Sequence, residues 1–431
     1  MEKRATLSQG VWASPWRFVP TLYFQQGVPV VLVQQFSVIF FKRMGISNDR
    51  IGLWTSLIAW PWILKLFWSP LVELTWTKRN WVLAMQVSLS LAFVMLAATV
   101  RSSNFLPLSL SVFFLIAILS ATHDVALDGY YILALAPKRQ AFFVGIRSTF
   151  FRLAMVFCSG ALVICAGQWE RSGVSIAESW KRAIWIGAVV YTLLTIYESR
   201  AMPRLSRVSD PASGPLSGAP RVSLGGFTET FRSFFAQPGI FRIISFFLLY
   251  RFSEAMLTKV SGLFLLDKHV AGGLEFSTVE VGAILGNVGV ASLVVGGILG
   301  GFVVSKFGLR RSFWPIAITM NLPNFLYLWA ARAQIGPVAM SVVTAGEQFS
   351  YGFGMAPYLI YAMDIAGRSR FKTSHYAILS GFIALGAMIA GIASGYLQVH
   401  LGYFGLFVLI CLSSIPGMVL LKFIPLSEAV S

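Results

Sequence analysis

The sequence predicts an all-α polytopic membrane protein with twelve transmembrane helices, built as two six-helix pseudo-repeats. Three observations lead there. Of the 431 residues, 56% are hydrophobic and only 12% are charged, about half the charged share of an ordinary soluble domain. The apolar residues gather into runs of the length, about 20 residues, that a hydrocarbon crossing demands. One long polar stretch divides those runs into two equal sets. The composition excludes a soluble enzyme. A mean hydropathy of +0.73 excludes an outer-membrane barrel, whose strands alternate apolar and polar residues.

The first span runs from Phe18 to Phe41. It is longer than a signal-peptide core and no small-residue cleavage site follows it, so it reads as a retained helix. Further spans are expected near Ile51 to Leu74, Trp81 to Val100, Pro107 to Leu135, Ala141 to Ala166 and Ala183 to Ser199, which completes an N-terminal bundle over residues 1–199. Residues 200–238 carry Pro203, Pro211, Pro215 and Pro220 among Ser, Gly and Arg, too polar and too interrupted to cross a bilayer. This is the linker. A C-terminal bundle over 239–431 follows, with spans near Ile240 to Leu266, Thr278 to Val304, Ser312 to Ala331, Pro337 to Ala362, His375 to Leu397 and Tyr403 to Phe423.

With the N-terminus on the cytoplasmic side, the loops of that side hold about twice as many Lys and Arg residues as the opposite loops. That bias sets orientation, placing both termini and the linker in the cytoplasm of an inner-membrane protein. The net charge of +17 therefore reflects retained cationic loops and implies no nucleic-acid partner. Cys158, Cys165 and Cys411 lie inside apolar runs without metal-ligand spacing, so neither a disulfide framework nor a metal site is expected. No HExxH, GxSxG or Walker loop is present, which argues against an enzyme, a cofactor and ATP-driven transport alike.

Six spans plus six around a cytoplasmic loop is the layout of the major facilitator superfamily, whose halves are repeats around a midplane site. The stretch Gly300-Gly301-Phe302-Val303-Val304-Ser305-Lys306-Phe307-Gly308-Leu309-Arg310-Arg311 resembles the glycine-and-basic loop between the second and third helices of each half in that superfamily. Its first-half counterpart, with Glu73, Lys78 and Arg79, is degenerate but keeps an acid followed by bases. Four more segments resemble the branch that includes AmpG-type muropeptide permeases and acetyl-coenzyme A transporters. These are Leu22-Tyr23-Phe24-Gln25-Gln26-Gly27-Val28-Pro29, Leu64-Lys65-Leu66-Phe67-Trp68-Ser69-Pro70-Leu71-Val72-Glu73, Ala121-Thr122-His123-Asp124-Val125-Ala126-Leu127-Asp128-Gly129 and Leu249-Tyr250-Arg251-Phe252-Ser253-Glu254. His123 stands where the branch usually has Gln.

Ionisable groups inside a span are costly, at least ~2.5 kcal/mol each at the bilayer centre, and need a partner or a task. Asp124 and Asp128 are spaced to share one face of the fourth helix, about 16 and 10 Å deep from its cytoplasmic end. On the next helix Arg152 and Arg147 fall at about 17 and 9 Å, so the depths match as Asp124 with Arg152 and Asp128 with Arg147. Lys65 belongs to the same layer. These pairs either hold two helices together or exchange a carboxylate between arginine and proton. His123 adds a group able to titrate near neutrality, although its position beside Asp124 turns it to another side of the helix, where a hydrogen-bonded structural role is expected.

In the second half, Arg251 and Glu254 are neighbours on the seventh helix, and Glu347 lies about 15 Å into the tenth with no charged residue one turn away. The resemblance implies that the first, fourth, seventh and tenth helices line the cavity. Expected proton-coupling residues are therefore Asp124, Glu254, Glu347, Asp128 and His123, and expected substrate contacts are Arg152, Arg251, Gln26, Gln34, Lys65 and Tyr23. Glu73, Arg79, Lys306 and Arg310 form the loop motif. The leading expectation is a monomeric, proton-coupled importer of a polar anionic amino-sugar or muropeptide-like solute, working by alternating access. A siderophore or acyl-coenzyme A transporter, and a membrane receptor without transport, are the alternatives.

Overall fold

The computed structural model describes residues 14–204, 224–369 and 371–425. The described residues are helical, with no strand, and twelve helical segments correspond to the twelve expected spans. They are α1 (Pro15–Arg43), α2 (Asn48–Leu57 and Trp60–Leu74), α3 (Lys78–Thr99), α4 (Phe105–Ala134), α5 (Pro137–Met155, continuing to Arg171) and α6 (Ile176–Ala201). The second half has α7 (Ile240–Leu249 and Phe252–Leu266), α8 (Thr278–Phe307), α9 (Leu309–Asn321 and Asn324–Ala333), α10 (Pro337–Gly367), α11 (372–401) and α12 (403–421).

Local chemistry explains most of the boundaries. Thr77 and Ser175 cap α3 and α6 by accepting from the backbone amides of Asn80 and Glu178, and Ser277 with Glu280 makes a capping box for α8. Gly308, at φ 77°, turns α8 into α9, and Gly402, at φ 67°, is all that separates α11 from α12. Three expected spans are interrupted: α2 after Leu57, α7 at Tyr250 and Arg251, and α9 at Leu322 and Pro323. Six helices among the described residues are long and apolar enough to cross a membrane uninterrupted, α11 and α12 counting as one of them. The other segments are broken or more polar.

The packing repeats with a period of six helices. In the first half α1 lies on α5, α2 and α3 lie on α4, and α3 lies on α6. In the second half α7 lies on α11, α8 and α9 lie on α10, and α9 lies on α12. Two further seams join the halves, α2 with α11 and α5 with α8, and these exchange under the same pseudo-twofold relation. Glycines make both seams close, as expected where no hydrophobic force draws helices together in lipid. A Cβ on Gly52 would come 2.8 Å from Cα of Gly395, and one on Gly286 would overlap the backbone of Gly160.

The polar ties between the halves gather at the end of the bundle away from the linker, here called the far end. Lys42 of α1 forms an ion pair with Asp267, which follows α7. Asn48 of α2 donates to Asp267 (2.8 Å), Gln398 of α11 (2.7 Å) and Tyr403 of α12 (3.2 Å), while Tyr403 donates to Asp267 at 2.6 Å. A second hub is Glu170 at the end of α5, which accepts from Arg43, Trp180 and Thr278 of α8. Beside it Arg171 donates to Ser277 at 2.7 Å. At the linker end, the short helix Leu224–Phe235 and its following turn engage α11 through His375, whose ring nitrogens lie 3.0 Å from Ser233 Oγ and Gln237 Nε2. Residues 205–223 of the linker lie outside the described residues.

Candidate functional site

In the first half the charged residues of α2, α4 and α5 meet α1 in one cluster. Asp124 forms an ion pair with Lys65 and accepts from the Gln26 amide. Asp128 pairs with Arg147 at 2.6 Å and accepts from the Tyr23 hydroxyl at 3.4 Å. The Arg147 guanidinium sits over the rings of Tyr23 (4.2 Å) and Tyr131 (4.5 Å), a cation–π sandwich that holds it in place. The carboxylate of Asp128 is 49% exposed and the ammonium side chain of Lys65 34%. Charged groups within a span are too costly to face hydrocarbon.

Three sequence expectations change here. The Asp128 and Arg147 pair forms, but Asp124 is matched by Lys65, and Arg152 has no carboxylate within ion-pair distance among the described residues. Arg152 instead reaches across to the second half, with Nη2 3.5 Å from the position a Cβ on Gly297 would take, a position also 3.8 Å from the Gly352 carbonyl of α10. His123 is fully buried, yet neither ring nitrogen has a hydrogen-bond partner, so it is not the satisfied structural histidine expected. Of the glutamines, Gln25 is structural: its amide donates to Tyr191 and Thr195 of α6 and accepts from Gln86 of α3. Gln26 points to the charged cluster, Gln34 is exposed on an otherwise buried helix, and Gln35 accepts from Ser159 of α5 at 2.8 Å.

The second half brings α7 and α10 together. Arg251 occupies the interruption in α7 and pairs with Glu254 at 2.7 Å, and Glu254 also accepts from Thr258 at 2.7 Å. The guanidinium lies 4.7 Å from the Tyr351 ring and 5.9 Å from that of Tyr358. A broken helix at this depth exposes backbone where ligands bind in many transporters. Glu347 is buried; among the described residues its hydrogen-bonding neighbour is the adjacent Gln348 amide, and no cation is within ion-pair distance.

The loop motif occupies one loop in each half. Arg79 donates to the carbonyls of Met202 (3.1 Å) and Ser199 (2.6 Å), closing the end of α6. Lys306 lies over Phe302 and Phe307, and Arg310 is exposed. The side chain of Glu73 lies outside the described ones. Sequence reasoning did not single out Tyr351, Tyr358 or Thr258, nor the far-end residues Asn48, Asp267, Gln398 and Glu170. Tyrosines inside a span look like packing, and residues at span ends look like ordinary boundaries.

Two seams related by the pseudo-twofold, six-helix halves and a cluster of charges within the spans agree with the family comparison: a model described as Major Facilitator Superfamily matches residues 21–374. The chain belongs to that superfamily. Among similar sequences, the "Anhydromuropeptide permease" of Escherichia coli (strain K12) is 22% identical, covering 93% of this chain and 77% of its own length. A "Putative transporter AmpG 2" of Rickettsia typhi is 23% identical, covering 95% of each. An uncharacterized protein of Haemophilus influenzae is 24% identical over 94% of this chain and 93% of its own. Among solved structures, a D-xylose-proton symporter superposes with TM-score 0.69 at 13% identity, covering 95% of this chain and 97% of its own. A POT family transporter in complex with 5-aminolevulinic acid gives 0.70 at 12%, covering 94% and 95%. The superfamily fold and a multi-pass membrane transporter of small solutes follow.

Proposed function

We propose that this protein is a proton-coupled importer of an anionic, muropeptide-like amino-sugar solute, acting by alternating access in the inner membrane with both termini and the linker in the cytoplasm. One observation carries the reading. Arg152 of the first half lies against Gly297 of α8, which packs on Gly352 of α10, and Arg251 of the second half lies over the adjacent Tyr351, so an anion bound there would touch both halves at once. Guanidinium forks suit carboxylates, and a ligand that bridges the halves ties its own release to their movement. The named relatives support the solute class.

Buried Glu347, lacking a cation, is the leading proton carrier, with Glu254 alternating between Arg251 and a proton. Asp124, Asp128 and His123 are secondary candidates, and Gln26, Gln34, Lys65 and Tyr23 offer contacts to hydroxyl and amide groups. Opening at the linker end while the far-end network holds would be the cytoplasm-facing state. Purified protein in liposomes, given a labelled anhydromuropeptide and an inward proton gradient, should accumulate it above the outside concentration. Binding without accumulation under any gradient would refute transport, and indifference to the gradient would refute proton coupling. Orientation is tested by cysteines placed at Ser172 and Arg310, which should label from the periplasmic and cytoplasmic sides respectively.

A further inference from the structure

Lys65, Arg147, Arg152, Arg251 and Lys259 are basic residues set more than a turn from either end of their spans. Three of them have carboxylate partners, Asp124, Asp128 and Glu254. Arg152 and Lys259 have none within ion-pair distance among the described residues. They come from opposite halves.

Lys259 lies two helical turns beyond Arg251 on α7, about 12 Å nearer the far end. Its ammonium donates to Thr55 Oγ1 of α2 at 3.0 Å, across the boundary between the halves. An ammonium has three donors, and one hydroxyl does not compensate a charge withdrawn from water. A second polar group waits at the same place. Ser56 Oγ is buried, has no hydrogen-bond partner, and faces Gly391 of α11. Gly391 is what lets Ser56 and Lys259 pack close to α11: a Cβ there would collide with Ser56 Oγ and come 3.0 Å from Lys259 Cε. Beside Lys259, Thr258 is exposed.

We propose that Lys259, with Thr55 and Ser56, forms a second anion subsite that receives a carboxylate of the solute, while Arg152 and Arg251 hold another. The solute class this specifies is a dicarboxylate whose two anionic groups lie about 10 Å apart, as a peptide stem with a C-terminal carboxylate and a second carboxylate on an earlier residue provides. The inference rests on the muropeptide-like reading above and deepens it. Lys259 makes the contact from the second half, held in place by Thr55, whose own proton goes to the Ile51 carbonyl at 2.6 Å, and the Ser56 hydroxyl supplies a donor from the first. A solute carrying both charges neutralises both unpaired cations; one carrying a single charge leaves one of them uncompensated.

The test uses the full-length protein in detergent and three probes: an anhydromuropeptide whose peptide stem carries two carboxylates, and its two monoamides. The wild type should bind the dicarboxylate about tenfold or more tightly than either monoamide. Lys259→Met should lose that preference against one monoamide and keep it against the other, and Lys259→Arg should restore most of it. Thermal melting of Lys259→Met should be at or above that of the wild type, since an unpaired buried charge is removed. If Lys259→Met keeps both preferences, or weakens all three probes equally, the second subsite is refuted and the permease reading stands. If the wild type binds none of the three probes, the permease reading falls and the subsite falls with it.

Discussion

Replacing Asp267 by Asn isolates the charge that locks the far end. The shape is kept, and the amide oxygen can still accept from Asn48 (2.8 Å) and Tyr403 (2.6 Å). What disappears is the ion pair with Lys42, the attraction that joins α1 to the end of α7. Side chains of Lys42 and Asp267 are only 16% and 15% exposed, so screening is modest, and a charge-assisted contact of this kind is worth about 1.5–2 kcal/mol. If that energy is present only while the far end is closed, its loss shifts the closed-to-open ratio about ten- to thirtyfold toward open. Ser56 reports the shift, because it is 3% exposed beneath the network.

In a background with Cys158, Cys165 and Cys411 replaced, Ser56→Cys should react slowly with a membrane-impermeant thiol reagent added from the far side. Asp267→Asn should speed that reaction by the same ten- to thirtyfold. Lys42→Met should do at least as much, since it also removes the donor to Asn48 Oδ1 (2.7 Å), and the double variant should add little to Lys42→Met, because the ion pair is then already gone. An unchanged rate in Asp267→Asn, or fully additive rates in the double variant, would refute the assignment of this pair to the gate.

Glu347→Gln keeps volume and removes titration, so uphill uptake should fail while exchange at equal concentrations persists; counterflow against gradient-driven uptake in liposomes separates the two. Arg251→Gln should weaken binding of the charged solute by one to two orders of magnitude, from the ~1.5–3 kcal/mol of a charge-assisted contact. Binding should not return in the double variant Arg251→Gln with Glu254→Gln; recovery there, measured calorimetrically, would make the pair purely structural. Gly286→Ala would push a methyl group into the Gly160 backbone and should cost about 1–3 kcal/mol in the far-end-closed state, seen as faster Ser56→Cys labelling with little loss in melting temperature.

How far the site was legible depended on how the groups are connected. Asp128 and Arg147 lie on consecutive antiparallel helices with a short turn between them, so depth along the helix was enough to match them. The same arithmetic gave Asp124 to Arg152, and this failed because depth says nothing about direction around the helix axis. Lys65 arrives from α2, on the side of α4 that Asp124 faces, while Arg152 points across to α8. The break in α7 at Arg251 carried no Gly or Pro, so no local residue announced it.

The sequence by itself determined the number of crossings, the two halves and the depth of each charge, because hydrocarbon thickness and the cost of burying charge act on every residue locally. It also determined the family, since the glycine-and-basic loop and the segments around Gln26, Lys65, Asp124 and Arg251 are contiguous motifs. Tertiary structure alone decided which charges are paired and which are left over. Lys42 meets Asp267, Asn48 meets Gln398, and Thr55 meets Lys259 across the boundary between halves. Such contacts depend on how two separately folded bundles dock, and docking is set by the close glycine seams of α2 with α11 and α5 with α8. Residues more than two hundred positions apart share no pattern in the chain until those seams bring them together.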